Sequence, residues 1–280
     1  MERRNLQQNK RPLDKKTVSL TKPIAKPDSN GHGNRPPPHP IASYGIILSA
    51  KNTGRFLICQ RRDTIEYTEF VRGRVPKSLY RVYFSQMTQT ERDRLLRYTF
   101  IQLWDDLWVN HNNRFYREVY PNAKAKYTEV YPSLPALLEA YPSAVKAPSW
   151  GFPKGKLNYS SEKHERAALR EFIEETCIRL DYKNLLDIPY VTETFVGTNG
   201  KLYSTTYLIA QVDQETPIAY STPNAMRPNT VSEEIADLKW VSLEQSRVFL
   251  NERRQAILEE VKARLEEFSK RPSPIEVVTQ

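Results

Sequence analysis

Three glutamates between residues 171 and 175 have the type and spacing needed to bind a divalent cation. Glu171, Glu174 and Glu175 lie at positions i, i+3 and i+4, so a period of about 3.6 residues places them on one face of a helix. Neighbouring carboxylates repel one another unless a cation lies among them, and oxygen ligands suit hard divalent cations. The spacing therefore predicts a helix with one metal-binding face.

The side chains between these glutamates predict the opposite, packed face of the same helix. They are expected to form a buried stripe made of Leu169, Phe172, Ile173 and Thr176. The simpler alternative is a surface helix that carries ordinary charged pairs, such as Arg170 with Glu174.

The segment 151–178 resembles the Nudix box, whose pattern is G-x5-E-x7-R-E-U-x-E-E-x-G-U with U an aliphatic residue. Glu162 is followed by seven residues and then by the Arg-Glu pair at 170–171. Six residues rather than five separate Gly155 from Glu162, and Cys177 stands where the family has glycine. A residue other than glycine adopts a positive φ at a cost of roughly 1–2 kcal/mol, so Cys177 is still expected to end the helix.

The resemblance implies roles for the residues of the box. A Mg²⁺ or Mn²⁺ ion would be bound by Glu171, Glu174 and Glu175, with the backbone carbonyl of Lys154 as a further ligand. Three other positions would be structural, namely Gly155, Glu162 and Arg170, with Glu162 paired to Arg170.

The resemblance also implies a general base from a second region, just before a strand that contains LKW. Glu234 is the expected base and Glu233 the alternative, while the simplest interpretation is that both are solvated loop carboxylates. Four cations are candidates for binding substrate phosphates or are ordinary surface charges, namely Arg61, Arg62, Lys154 and Lys156.

Three further segments narrow the resemblance. The loop WGFPKGK (150–156) is similar to the mRNA-decapping branch of the Nudix family. Residues 60–75 and 87–108 resemble the decapping Nudix hydrolases of large nucleocytoplasmic DNA viruses, including the mimivirus and African swine fever virus types. This likeness implies hydrolysis of the 5′ cap by a metal-activated water, releasing m⁷GDP and 5′-monophosphate RNA. Capped mRNA is the implied partner, with its RNA body on a basic surface, and no protein partner is indicated.

Two other functions stay open on the sequence. One is a hydrolase of small polyphosphates, such as a nucleoside diphosphate or a diphosphoinositol polyphosphate. The other is a catalytically weak RNA-binding module, for which the insertion in the loop and Cys177 are the only support.

Charge is unevenly distributed along the 280 residues, whose net charge is +9. Residues 1–40 contain nine Lys or Arg, three acidic residues and seven prolines, a composition that predicts a disordered basic tail. Residues 131–280 contain eighteen basic and twenty-one acidic residues, so the basic excess lies upstream. This distribution fits a polyanionic substrate that approaches the N-terminal half.

Neither a membrane span nor a secretory leader is expected. No run of 18 apolar residues is present, and the first ten residues contain no apolar segment. The two cysteines, Cys59 and Cys177, are both expected to be buried and reduced. These features and the viral resemblance favour the cytoplasm, meaning the host cytoplasm or a viral factory, with the virion as a further location.

The fold class expected is α/β, a Nudix fold in which a mixed sheet lies between helices. The predicted units are a tail at 1–40, a Nudix domain at 41–245 with a helical insertion at about 77–145, and a C-terminal helix and tail at 246–280. Hairpins are predicted at 42–59, with a turn at 51–54, and at 189–212, with a turn at 199–200. The segment 64–75 is expected to end in a basic loop.

Apolar periodicity predicts helices in the insertion and at the C-terminus. In the insertion, Thr88 or Thr90 with Glu91 indicates a helix start. The side chains at helical spacing there are Leu96, Phe100, Leu103, Trp104, Leu107 and Trp108. They predict a packed core, with a base-stacking surface as the alternative. Residues 243–268 predict one amphipathic helix, with apolar positions at Val248, Leu250, Ile257, Leu258, Val261 and Leu265.

Overall fold

A computed structural model describes residues 18–19, 39–108, 111, 114–221 and 230–271. The strands are β1 (Val18–Ser19), β2 (Ile41–Ala50), β3 (Phe56–Arg61), β4 (Trp150–Gly151), β5 (Lys154–Gly155), β6 (Val191–Val196), β7 (Leu202–Val212) and β8 (Ile235–Val241). The helices are α1 (Ile65–Val71), α2 (Tyr80–Ser85), α3 (Gln89–Arg97), α4 (Phe100–Leu107), α5 (Arg114–Val130), α6 (Leu134–Ala140), α7 (His164–Thr176), α8 (Leu243–Phe249) and α9 (Glu252–Ser269).

The strands form one mixed sheet, as expected. Its main order is β1-β6-β7-β2-β3-β4, and β5 and β8 pair with β2 and β3 respectively. The long central strands β2 and β7 are parallel, whereas the pairs β6–β7, β2–β3 and β3–β8 are antiparallel.

Helices cover both faces of the sheet, which confirms the predicted layers. Alternate residues of β2 point to opposite faces, because side chains of a strand have a period of two. Ile46 and Leu48 pack in the core beneath α7, with Phe172. Ile47 packs on the other face with residues of α9 such as Ile257. Helix α7 is thus packed against one face of the sheet.

Both predicted hairpins are present, and glycines at positive φ allow their turns. The turn between β2 and β3 ends at Gly54, with φ of 65°, and that between β6 and β7 contains Gly200, with φ of 74°. The predicted strand that contains LKW is β8.

The helical insertion has a core of its own, as the periodicity predicts. Phe84, Leu103, Trp104 and Tyr127 are among its buried side chains. Helical structure begins at Ile65 rather than at 77, because Thr64 accepts a hydrogen bond from the Tyr67 N–H and caps α1.

Several details of the insertion differ from the sequence prediction. Thr88 and Glu91 form the expected capping box of α3, but the helix stops at Arg97 and a second box at Thr99 starts α4. The break turns Leu96 to the surface and leaves Leu95 in the core, so the prediction for Leu96 is wrong. Residues 114–130 form one long helix, with Pro121 inside it.

The predicted C-terminal helix is two helices, α8 and α9, separated at Leu250–Asn251. The Asn251 side chain accepts a hydrogen bond from the Arg254 N–H, which restarts the helix in a new direction. Val248 lies at the end of the first piece and is 83% exposed, so its predicted burial is wrong. None of the helices within the described ranges is long and apolar enough to cross a membrane.

Within the predicted tail, Val18–Ser19 pairs in parallel with Val191–Thr192 and lengthens the sheet by one short strand. The other residues of that prediction, apart from 39 and 40, lie outside the described residues, as does the segment 272–280.

Candidate active site

Helix α7 carries the three predicted ligands and ends at Cys177. Cys177 has φ of 58° and ψ of 10°, a left-handed conformation, and its N–H donates to the Ile173 carbonyl at 2.9 Å. The prediction for this position is confirmed. Its side chain is exposed, however, so burial is confirmed only for Cys59.

Three of the four residues expected in the packed stripe of α7 are buried, namely Leu169, Phe172 and Thr176. Ile173 is 36% exposed, and its predicted burial is wrong. One residue after Phe172, the helix has turned by about 100°, and the side chain has left the face that lies on the sheet.

The predicted pair between Glu162 and Arg170 is present. Arg170 Nε donates to Glu162 Oε1 at 3.1 Å, and Glu162 also accepts the Asn158 N–H at 2.7 Å. These donors keep the pKa of Glu162 below its usual range. With only 1% of its side chain exposed, Glu162 fixes the loop before α7 and does not reach the cavity described below.

Arg170 also holds the exposed side of the helix. Its Nη1 lies 2.7 Å from Glu171 Oε1 and 3.2 Å from Glu174 Oε2, and its Nη2 donates to the Lys156 carbonyl at 2.9 Å. We call Glu162, Arg170, Glu171 and Glu174 the box cluster. One guanidinium serves three carboxylates, which leaves the box cluster with surplus negative charge.

The loop WGFPKGK lies directly against α7. Strand β5 pairs with β2, and the Ile46 N–H donates to the Pro153 carbonyl at 3.2 Å. The Lys154 N–H then donates to Glu175 Oε2 at 2.9 Å. A side chain at Gly155 would overlap the Glu171 carboxylate and displace it, so glycine at this position leaves room for that carboxylate. From the opposite face, Arg254 of α9 donates to the Trp150 carbonyl.

A cavity of about 760 Å³ opens between the loop, α7 and the start of β8. We call it the carboxylate cavity, since it brings together most of the predicted site. Its lining includes Arg61, Lys154, Gly155, Lys156, Glu171, Glu174, Glu175, Glu233 and Glu234. Both candidate bases and three of the four candidate cations therefore meet the box glutamates.

The pKa values of two cavity glutamates are raised. Burial raises the pKa of Glu175 to about 7, with a further contribution from the charge of Glu234. Burial also raises the pKa of Glu171, with smaller contributions from Glu174 and Glu234. The site thus concentrates carboxylates that are costly to ionise until positive charge enters.

Glu234 is tied to the end of β3, where the register of the β3–β8 ladder shifts between Gln60 and Arg61. Arg61 Nη2 lies 3.3 Å from Glu234 Oε2, and the Arg62 N–H donates to the Glu234 carbonyl at 2.7 Å. Half of the Glu234 side chain, 53%, remains exposed in the cavity. Glu233 lines the same cavity.

The sequence predicts Arg62 as a candidate for binding substrate phosphates, but its side chain is buried among aspartates. Only 6% of its side chain is exposed, and it pairs with Asp63 at 2.6 Å and with Asp106 at 3.6 Å. Arg94 pairs with both of these aspartates, which completes a group that we call the insertion cluster. Its four members join the end of β3 to α3 and α4. Arg62 is outside the lining of the carboxylate cavity and borders only a smaller neighbouring one of about 180 Å³.

Arg72 is a further cation of the carboxylate cavity, beyond the four candidates predicted from the sequence. It follows α1 and lines both the carboxylate cavity and the smaller one. Its guanidinium lies 4.9 Å from the centre of the Trp108 ring, and burial lowers its pKa. The predicted basic loop at the end of 64–75 was the available signal, but only the fold brings that loop beside α7.

The donor set of the cavity suits a hard divalent cation. Five glutamates line it, two of these glutamates have raised pKa values, and the Lys154 backbone lies beside them. Within the described ranges, no three acidic, histidine or cysteine side chains already converge as a ligand group. The carboxylates bind protein donors instead, Glu171 to Arg170 and Glu175 to the Lys154 N–H.

The fold is an α/β/α sandwich, and glutamates of α7 line a cavity beside the paired Glu162 and Arg170. This is the arrangement that the resemblance to the Nudix box predicts. Residues 137–265 match the NUDIX domain model. The match shows a Nudix domain over those residues, and the mixed sheet between helices agrees with the Nudix fold expected from the sequence.

One curated relative extends the likeness beyond that domain. The chain is 28% identical over 225 residues to the "Putative mRNA-decapping protein" of Acanthamoeba polyphaga mimivirus. The alignment covers 70% of this chain and spans 60% of the length of that relative.

Solved structures with low sequence identity resemble the chain more distantly. A bifunctional NMN adenylyltransferase/ADP ribose pyrophosphatase from Francisella tularensis is 13% identical, with a TM-score of 0.39. The superposed region covers 82% of this chain and 43% of the Francisella chain. A MutT NUDIX hydrolase from Burkholderia pseudomallei is 18% identical, with a TM-score of 0.36. The superposed region covers 80% of this chain and 98% of the Burkholderia chain.

Proposed function

We propose that this chain is a metal-dependent phosphoanhydride hydrolase that acts on the 5′ cap of mRNA and releases m⁷GDP and 5′-monophosphate RNA. The observation that carries the hydrolase part is the carboxylate cavity. There, Glu171, Glu174, Glu175 and Glu234 surround one space that also has cations on its wall. Hydrolysis of a phosphoanhydride requires carboxylates that bind a metal ion and cations that bind the phosphates, and the cavity offers both.

Glu171, Glu174 and Glu175 would hold Mg²⁺ or Mn²⁺ with the Lys154 carbonyl. When bound, such a cation neutralises charge on the phosphates and lowers the pKa of water. The Lys154 N–H keeps Glu175 in position, and Arg170 does the same for Glu171. Both side chains are therefore oriented before a substrate arrives, which reduces the reorganisation that the reaction requires.

Glu234 is the better candidate for the general base. It would take one proton from the attacking water, whose oxygen forms the new bond to phosphorus while the bridging P–O bond breaks. Arg61 holds one carboxylate oxygen of Glu234 and leaves half of the side chain in the cavity. The charge of Glu234 also raises the pKa values of Glu171 and Glu175, which supports its proximity to the reaction centre.

The choice of substrate rests on sequence likeness outside the metal helix. The 225 aligned residues shared with the mimivirus protein exceed the span 137–265 of the domain match, so the likeness includes parts of the chain beyond it. The segments 60–75 and 87–108 and the loop WGFPKGK also resemble decapping enzymes. Capped mRNA is accordingly the proposed partner, and its RNA body would bind the part of the molecule upstream of residue 131, where the basic excess lies.

The test is incubation of the full chain with RNA labelled in the cap, in the presence of Mn²⁺ or Mg²⁺. We expect labelled m⁷GDP as the product. Nucleoside diphosphates and a diphosphoinositol polyphosphate are assayed in parallel. Faster turnover of either small compound than of capped RNA would contradict the proposed substrate, and binding of RNA without turnover of any anhydride would contradict the hydrolase.

Substitution at 234 tests the base. Glu234→Gln should lower kcat by about 10²–10⁴-fold, the usual contribution of general base catalysis. Glu233→Gln is the matched variant next to it, and Glu244→Gln, on the exposed side of α8, is the distant control. A larger loss for Glu233→Gln than for Glu234→Gln would reverse the assignment.

A further inference from the structure

A second cavity, of about 450 Å³, lies between the helical insertion and the turn of the β6–β7 hairpin. We call it the hairpin cleft. Its walls come from the loop after α1, from α2 and α5, and from the hairpin turn. The lining residues with charge are Glu69, Arg72, Arg74, Lys126 and Lys201. Four cations against one carboxylate give this cleft the opposite charge to the carboxylate cavity.

The cations of the hairpin cleft are only partly neutralised. Glu69 lies 3.1 Å from Arg74 and 3.7 Å from Arg72, so one carboxylate is shared by two guanidinium groups. Lys126 donates to the Gly73 carbonyl at 2.8 Å, a neutral acceptor. In the part of the chain that the structure describes, Lys126 and Lys201 have no carboxylate within 4.0 Å.

The loop that carries Arg72 and Arg74 is held firmly in place. Gly73 has φ of 66°, and a Cβ there would lie 2.8 Å from the Cα of Ala123 in α5. Only glycine lets the loop approach the helix so closely. Together with the Lys126 bond, this contact fixes the backbone of the loop that carries the two arginines.

Arg72 belongs to both cavities and connects them. It lines the carboxylate cavity and the hairpin cleft, and its buried Nε has no hydrogen-bond partner. A buried donor without a partner is costly, and the Arg72 side chain, which lines both cavities, can turn its guanidinium towards phosphate oxygens there. A polyanion cleaved at the glutamates would therefore find cations continuing past Arg72 into the hairpin cleft.

We infer that the hairpin cleft binds the sugar-phosphate backbone of the RNA that continues from the cleaved anhydride, with Arg72, Lys126 and Lys201 as phosphate ligands. This inference rests on the proposed function, because it takes the substrate to be a polynucleotide. Single-stranded backbones are bound by such positively charged grooves, and the affinity then depends steeply on salt. The cleft would let the enzyme prefer a cap that is attached to RNA over the same cap alone.

The experiment compares two substrates, a capped RNA of about 30 nucleotides and the cap dinucleotide m⁷GpppG. Lys126→Ala/Lys201→Ala should raise KM for the capped RNA by about tenfold and leave kcat/KM for the dinucleotide within twofold. The slope of log KM against log salt for RNA should fall by about 0.7 for each lysine removed. Lys51→Ala/Lys183→Ala is the matched control, because these two exposed lysines pair with Asp213 and Asp181.

A second variant separates charge from folding. Lys126 holds the Gly73 carbonyl, so its loss could move the loop, whereas Lys201 lies exposed on the hairpin turn. Lys201→Glu alone should therefore raise KM for RNA at least as much as the neutral double variant. Equal effects on both substrates, or no effect on RNA, would overturn the inference.

Binding measurements keep this test independent of the proposed reaction. If wild type fails to release m⁷GDP, fluorescence anisotropy with uncapped RNA still measures the cleft, and the double variant should bind that RNA about tenfold more weakly. Inorganic polyphosphate serves as the free polyanion. Loss of polyphosphate binding with unchanged RNA binding in the variants would assign the cleft to a free anion and overturn the backbone path.

Discussion

The box cluster and the insertion cluster are both built from arginines and carboxylates, yet they differ in charge balance. The insertion cluster pairs two arginines with two aspartates and is almost completely buried. The box cluster sets one arginine against three glutamates and opens into a cavity that holds further carboxylates. A balanced and closed cluster stabilises the fold, whereas an unbalanced and open one is ready to receive a cation.

The largest effect is expected from breaking the balanced cluster. Asp63→Ala would leave Arg62 and Arg94 buried with one shared carboxylate, and loss of one partner of a buried ion pair costs about 3–5 kcal/mol. Urea unfolding at pH 7, followed by tryptophan fluorescence, measures this loss. Asp93→Ala, at an exposed position of α3, should change the free energy of unfolding by no more than about 0.5 kcal/mol. Equal losses in the two variants would show that the insertion cluster contributes nothing particular to stability.

The next largest effect should come from the open cluster and should appear in activity. Glu175→Gln is expected to lower turnover by about 10²–10³-fold, the scale on which removal of one charge-stabilising group acts. Its stability should behave in the opposite way. The folded-state pKa of Glu175 is raised from 4.5 to about 7, so above pH 7 the ionised side chain costs stability, and the glutamine removes that cost.

Thermal unfolding at pH 8 with a chelator present checks the second half of this prediction. The Glu175→Gln variant should melt no lower than wild type. A clear fall in Tm would mean that Glu175 stabilises the fold, and the contrast between the two clusters would then fail.

The smallest effect concerns pH and sharpens the comparison. Burial alone would raise the pKa of Asp63, but the charges of Arg62 and Arg94 outweigh it and lower the pKa below 3.8. The stability gained from ionised Asp63 is therefore present above about pH 4 and is lost as the pH falls through the lowered value. The stability difference between wild type and Asp63→Asn should stay constant from pH 7 to about pH 5 and should shrink as the pH falls below about 4. A difference that grew towards acid would reverse the assigned sign.

The parts of the site that lie close together in sequence are predictable, because their geometry is local. The spacing of the box predicts α7, the pair between Glu162 and Arg170, and the left-handed end of the helix at Cys177. Tight turns such as the one at Gly200 are predictable for the same reason. Each of these features depends on contacts between residues only a few positions apart.

What the sequence does not reveal depends on distant partners. Arg62 and Arg61 are neighbours, but one reaches Asp106 in the insertion while the other reaches Glu234 before β8. No periodicity within 60–75 distinguishes them. Arg72 likewise becomes a cavity residue only because the insertion folds against the hairpin. Ile173 gives a similar case within one helix. The sequence shows that the residue is apolar but not how wide the buried face of α7 is, and Ile173 lies outside that face.

The different environments of Cys59 and Cys177 give the chain a natural position for a spectroscopic reporter. Cys177 is exposed on the wall of the carboxylate cavity, whereas Cys59 is buried and its thiol has a pKa raised well above the usual range by burial. A maleimide dye should therefore label Cys177 selectively under native conditions, since the thiolate is the reacting form. Fluorescence from that single dye would follow cation and nucleotide entry in real time, without any engineered cysteine.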